Sequence, residues 1–133
     1  MHAPDCGERK LTELDYARLN KLVAAGAVPQ LADVLDEAEV VPARAIPADV
    51  VTMNAQFVTR DLKHQRRQVL TLCYPAEAAP AKGFISVLSP AGTSLLGLQA
   101  GDVARWMTPN GEEAVAEVEG VLSQPEARGD YTT

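Results

Sequence analysis

Apolar residues follow two different periods along this chain, and the change falls between Val41 and Val50. Before it the spacing is helical. Thr12, with Asp15 three residues on, resembles a capping pair and Gly26 a stop, which predicts a helix over about residues 13–25. Its apolar side, Leu11, Leu14, Leu22 and Ala25, is interrupted by Asp15 and Arg18, so a narrow packing seam is expected. A second helix is cleaner: Leu31, Val34, Leu35, Ala38 and Val41 share one side while Asp33, Asp36 and Glu37 point away. The short link Gly26-Ala27-Val28-Pro29 predicts that the two helices form an antiparallel hairpin. Such an arm of about 12 residues per helix reaches only ~18 Å. Residues 1–10 have no period and are predicted to fray.

Pro42 and Pro47 frame a linker, which divides the chain into an arm, 1–46, and a second domain, 47–133. From Val50 the period becomes two. Val51, Met53, Ala55 and Phe57 alternate with polar residues as a half-buried strand. Leu62 to Arg67 is a polar turn, Gln68 to Tyr74 a second strand, and 76–82 an Ala/Pro/Glu-rich loop. Phe84 to Leu88 reads as a short buried strand. Ser89 follows as a helix cap with Pro90 in the first helical position, where its missing N–H costs nothing. Leu95 and Leu96 supply the buried side of about two turns, and Gly97 is placed to close them in the left-handed conformation with Leu98 folding back. Gly101-Asp102 turns into a strand over Val103 to Met107, and Pro109-Asn110-Gly111 into a last one over Ala114 to Leu122. There Ala116, Val118 and Leu122 alternate with Glu117 and Glu119. The sum is an α+β fold, a twisted, mostly antiparallel sheet with one short helix on a face.

Composition narrows the function. At 133 residues with 47% hydrophobic side chains the chain can bury a real core, but with 5% aromatics that core is aliphatic. A net charge of −6 argues against a partner gripped by its phosphates, so neither DNA nor RNA is expected as a direct ligand. Cys6 and Cys73 give neither a disulfide framework nor metal-ligand spacing, and Cys73 suits a small core position. His2 and His64 lie far apart in sequence. No apolar run is long enough for a membrane span and no signal peptide is visible, which predicts a cytoplasmic protein.

Few residues offer chemistry. Asp33, Asp36 and Glu37 are the kind of acidic group that holds Mg²⁺, but they are read as a solvated helix face. Ser89 has no histidine placed beside it by any motif and is read as a cap rather than a nucleophile. Trp106, the single tryptophan, is read as a core anchor. Arg60, Lys63, Arg66 and Arg67 form the only basic cluster, on a turn and without interleaved aromatics; an acidic protein surface suits it better than nucleic acid. No catalytic, cofactor-binding or metal-ligating residue is predicted.

Ser89-Pro90-Ala91-Gly92, followed by Leu95-Leu96-Gly97 and Gly101-Asp102, resembles the C-terminal domain of the bacterial Gre-type transcript cleavage factors. Asp49-Val50-Val51-Thr52-Met53-Asn54, Tyr74-Pro75-Ala76, Gln124-Pro125-Glu126-Ala127 and Gly129-Asp130-Tyr131 are similar, at matching spacing, to its Rnk branch, the regulators of nucleoside diphosphate kinase. The resemblance covers most of 47–133; the first 46 residues match in plan more than in sequence. It implies an FKBP-like domain carrying a helical hairpin and a non-enzymatic regulator that binds RNA polymerase at the rim of its secondary channel, in competition with Gre factors. By position it implicates Leu88, Ser89, Pro90, Ala91 and Gly92 in docking, with Asp33, Asp36 and Glu37 as arm contacts. Many Gre proteins have an acid where this chain has Leu88, which leaves an apolar contact there. Gre factors also carry acids at the tip of a long arm that help place the polymerase metal; here the tip is Gly26-Ala27-Val28-Pro29. Two alternatives stand beside this reading: a true cleavage factor using the α-helical acids, and, from fold alone, a peptidyl-prolyl isomerase.

Overall fold

The computed structural model of the chain describes residues 9–26 and 29–129. It opens with strand β1 (Lys10–Thr12), helices α1 (Glu13–Ala24) and α2 (Pro29–Glu37), and strand β2 (Glu39–Val41). Thr12 caps α1 as its sequence predicts, its hydroxyl accepting the Asp15 N–H at 3.1 Å. Leu31, Val34 and Leu35 are buried on α2, and Asp33, Asp36 and Glu37 are exposed. The second helix is shorter than its pattern suggests. Ala38 lies beyond its end and Val41 belongs to β2, because the β-branched pair Val40-Val41 is taken up by a parallel ladder with β1. The expectation of fraying through residue 10 is corrected by the same ladder: Lys10 and Leu11 pair with Glu39 and Val40, and Leu11 is fully buried. Residues 1–8 and the link residues Ala27 and Val28 lie outside the described residues.

Five further strands build the main sheet: β3 (Gln56–Asp61), β4 (Arg66–Cys73), β5 (Phe84–Ser86), β6 (Val103–Met107) and β7 (Glu113–Ser123). Their order is β5-β4-β3-β7-β6, antiparallel except where β5 joins β4. Helix α3 (Pro90–Leu95) crosses between β5 and β6 and packs on both. The α+β architecture is the one expected.

Three details depart from the periodicity. The first strand begins at Gln56, not Val50. Val51, Met53 and Ala55 are buried, but so is Thr52, and Asn54 turns the backbone with φ at 69°. Strand β5 is a three-residue edge strand with Phe84 40% exposed, not a buried one. On β7 the pairing with β3 skips Glu119 and Leu122, so two bulges shift the phase. Leu122 is thereby 59% exposed, and Val121 faces the core in its stead.

Leu11, Leu19, Leu31 and Leu35 of the arm share one apolar cluster with Val51, Met53, Phe57, Leu72, Leu95, Leu96, Leu98 and Val118 of the rest. The helical segment and the sheet therefore share one core, through side chains that neither could bury alone. Among the described residues no helix is long and apolar enough to cross a membrane.

Candidate functional site

The corner between β5 and α3 is made by hydrogen bonds that its own sequence dictates. The Ser89 hydroxyl donates to the Ser86 carbonyl at 2.7 Å and accepts the Gly92 N–H at 3.0 Å. Ser86 in turn accepts the Leu88 N–H on its side chain at 3.0 Å, and the Thr93 hydroxyl donates to the Val87 carbonyl at 2.6 Å. With both functions of its hydroxyl engaged, Ser89 is a cap and a brace. Gly92 is buried where the chain folds most closely: a Cβ there would stand 2.0 Å from the Ser86 carbonyl oxygen. What remains on the outside is Pro90, exposed, between half-buried Leu88 and Ala91. The corner presents a fixed apolar point to solvent.

The far end of α3 is closed by the arm. Arg9 donates from Nη1 to the carbonyls of Thr93, Ser94 and Leu96 at 3.3, 3.0 and 2.7 Å, a cation at the helix terminus that favours one. The Lys10 N–H donates to the Gly97 carbonyl at 3.0 Å, and Gly97 takes the predicted left-handed turn with φ at 78°. Trp106 rests its ring partly on the core, as expected of an anchor, while the remainder lines grooves on either side of Pro90.

The family model described as "Transcription elongation factor, GreA/GreB, C-term" matches residues 46–122. The chain belongs to the GreA/GreB family. The Escherichia coli K12 protein "Regulator of nucleoside diphosphate kinase" is 38% identical over 127 residues, 91% of this chain and 93% of its own. The Clostridium beijerinckii "Transcription elongation factor GreA" is 31% identical over 100 residues, 75% of this chain but 62% of its own. Among solved structures, "Prokaryotic transcription elongation factor GreA/GreB from Nitrosomonas europaea" matches with a TM-score of 0.74 and 33% identity, over 88% of this chain and 99% of that one.

Other residues singled out in this GreA/GreB chain lie apart from the corner. Asp33, Asp36 and Glu37 stand on the outer side of α2, and no group of three or more potential metal ligands converges among the described residues. The basic cluster is largely spoken for. Arg60 meets Glu117 at 2.8 Å and Glu119 at 3.2 Å, Arg67 meets Glu119 at 2.6 Å, and Lys63 bonds the Glu113 carbonyl. Arg60 and Arg67 thus answer glutamates of β7 within the chain. His64 pairs with Asp61 in the β3–β4 turn at 2.9 Å, and Cys73 is buried. His2 and Cys6 lie outside the described residues.

One polar cluster escaped the sequence reading. Asp15, in the seam of α1, is fully buried; its Oδ2 accepts the Met53 N–H at 3.1 Å and its Oδ1 has no partner. Burial pushes its carboxyl up to about 7, against the Met53 hydrogen bond, which lowers it, with Glu126 adding a smaller upward push. Glu126, itself buried, accepts the Thr52 hydroxyl at 2.8 Å, and burial raises the nearby Tyr74 phenol. Gln124 donates to the Pro47 and Val50 carbonyls at 2.8 and 2.9 Å, and Gln99 to the Asp49 carboxylate at 2.9 Å. The motifs at 49–54 and 124–127 are thus brackets that hold one segment in place. The available signal was Asp15 itself, a charge inside an apolar stripe.

Proposed function

We propose that the chain is a transcription regulator that binds RNA polymerase at the rim of the secondary channel through the Leu88-Ser89-Pro90-Ala91-Gly92 corner, and that it supplies no acid for transcript cleavage. Relatives that it resembles bear the names regulator of nucleoside diphosphate kinase and transcription elongation factor GreA, which fit a regulator. The observation that carries the reading is the corner itself: every polar group of Ser89 is consumed internally, and the rigid product exposes a proline to solvent. Binding at a preorganised point loses little ordering entropy.

The arm supports the negative half. With 12 residues in α1 and 9 in α2, its helices extend about 18 and 14 Å. Asp33, Asp36 and Glu37 face outward from that short shaft. Metal-assisted cleavage tolerates little error, since a misplacement of ~1 Å costs about a hundredfold.

Arrested elongation complexes provide the test. Added alone, the protein is expected to release no RNA fragments above the intrinsic level; added with a Gre factor, it should lower stimulated cleavage by competition. Pro90→Glu should weaken that competition at least about tenfold with thermal stability nearly unchanged, because Glu suits a first helical turn. Cleavage by the protein alone that disappears in Asp33→Ala or Glu37→Ala would instead establish a cleavage factor. Absence of both cleavage and competition would refute polymerase as the partner.

A further inference from the structure

We propose that Asp15 is a proton-controlled clasp between helix α1 and the segment 51–54 that leads into β3: with its proton it keeps α1 seated, and without it α1 opens locally around Asp15 while the sheet stays folded. The inference does not depend on which partner the corner meets. Segment 51–54 is tied to the rest of the fold on both flanks of the clasp. The Val51 N–H donates to the Leu98 carbonyl at 2.8 Å, the Gly97 N–H to the Val51 carbonyl at 2.8 Å, and the Asn54 N–H to the Leu72 carbonyl at 2.6 Å. Between them the Met53 N–H turns to α1 instead, onto the Asp15 Oδ2. When that contact parts, the segment stays where its neighbours hold it, and α1 is the element that moves.

Two buried carboxyls converge on consecutive residues of that segment, Glu126 on the Thr52 hydroxyl and Asp15 on the Met53 N–H. Asp15 has no exposed surface, and its Oδ1 has no hydrogen-bond partner among the described residues. The described groups that face it come from three elements. Glu126 belongs to the 3-10 turn after β7, Tyr74 lies just past β4, and Thr12 and Arg18 belong to the cap and body of α1. Burial and, less strongly, Glu126 oppose a charge on Asp15; the Met53 bond, Arg18 and Thr12 favour one and are outweighed. An ionised carboxylate held there is relieved only by reaching water. The shorter way out is the motion of one 12-residue helix, not the parting of a five-stranded sheet. A raised carboxyl in the closed state means that opening binds fewer protons, so it becomes easier as pH rises from 3.8 towards about 7.

Native-state amide exchange in low urea separates a local opening from a global one. After correction for intrinsic rates, the Met53 and Asp15 amides, which bond the Asp15 carboxyl and the Thr12 hydroxyl, are expected to lose at least about tenfold in protection between about pH 5.5 and about pH 8. That opening should hardly depend on urea, because it exposes little surface. The Val118 and Leu72 amides, bonded to the Asp102 and Ala55 carbonyls, are the global reference and should be better protected and urea-sensitive. Asp15→Asn, which keeps an oxygen for Met53, should abolish the fall, and Glu126→Gln should shrink it. In the wild-type protein the ¹³Cγ resonance of Asp15 is expected to titrate near neutrality. A midpoint in the ordinary carboxylate range would refute the clasp. So would a fall in protection that persists in Asp15→Asn, which would assign it to another group. Met53 and Asp15 amides that match Val118 and Leu72 in protection and urea dependence at both pH values would also overturn it, leaving only a global effect of pH.

Discussion

Gly92→Ala is expected to destabilise the protein by about 3 kcal/mol or more, the upper part of the range for overpacking a core. The added methyl would meet the Ser86 carbonyl oxygen at 2.0 Å, its carbon at 2.8 Å and the Val87 Cα at 3.0 Å. All three are backbone atoms, so no side chain can rotate away. Relief requires that β5 and α3 separate, which breaks the Ser89–Ser86 and Thr93–Val87 hydrogen bonds together. For a chain of this size the melting temperature should fall by roughly 10 °C or more. Gly120→Ala is the control, since nothing lies within 4 Å of its Cβ position. A Gly92→Ala protein melting within 2 °C of the control, a window set well below the roughly 10 °C expected, would show that the corner is slack.

The second large effect is a dependence on pH. The Asp15 carboxyl is raised from 3.8 to about 7 in the folded protein. Between those values the native state holds a proton that the unfolded chain releases, so stability falls as pH rises through that window. The full difference approaches about 4 kcal/mol above pH 7, at ~1.4 kcal/mol per pKa unit. Asp15→Asn keeps an oxygen to accept the Met53 N–H and removes the charge. The variant should match the wild type near pH 4 and exceed it by about 2–4 kcal/mol at pH 8, as read from urea midpoints across the range. A gap between the two proteins that does not change with pH would mean that Asp15 is solvated.

The local grammar of the chain was legible where partners lie three or four residues apart. Thr12 with Asp15, Ser89 with Gly92 and the glycine stop at Gly97 all act at that range, and all sit where their spacing puts them. Apolar runs bounded by turn signals located four of the five main strands well, while the period of two misplaced the start of β3 and failed in β7 where a single residue was inserted. Glu119 and Leu122 bulge out of β7, and after each the inward face changes. The β1–β2 ladder, the bond from Met53 to Asp15 and that from Thr52 to Glu126 join residues about 29, 38 and 74 apart, which no window of periodicity spans.

Arg9 leaves the arm's strand to close the end of α3, while the opposite end of that helix carries Pro90. Six helical residues thus separate the root of the arm from the exposed corner, and both depend on the same short element. In the language of linkage, free energy gained by holding the corner still is shared with the arm, and the exchange is symmetrical. A ligand of the arm alone would tighten the corner by the same factor that a ligand of the corner tightens the arm.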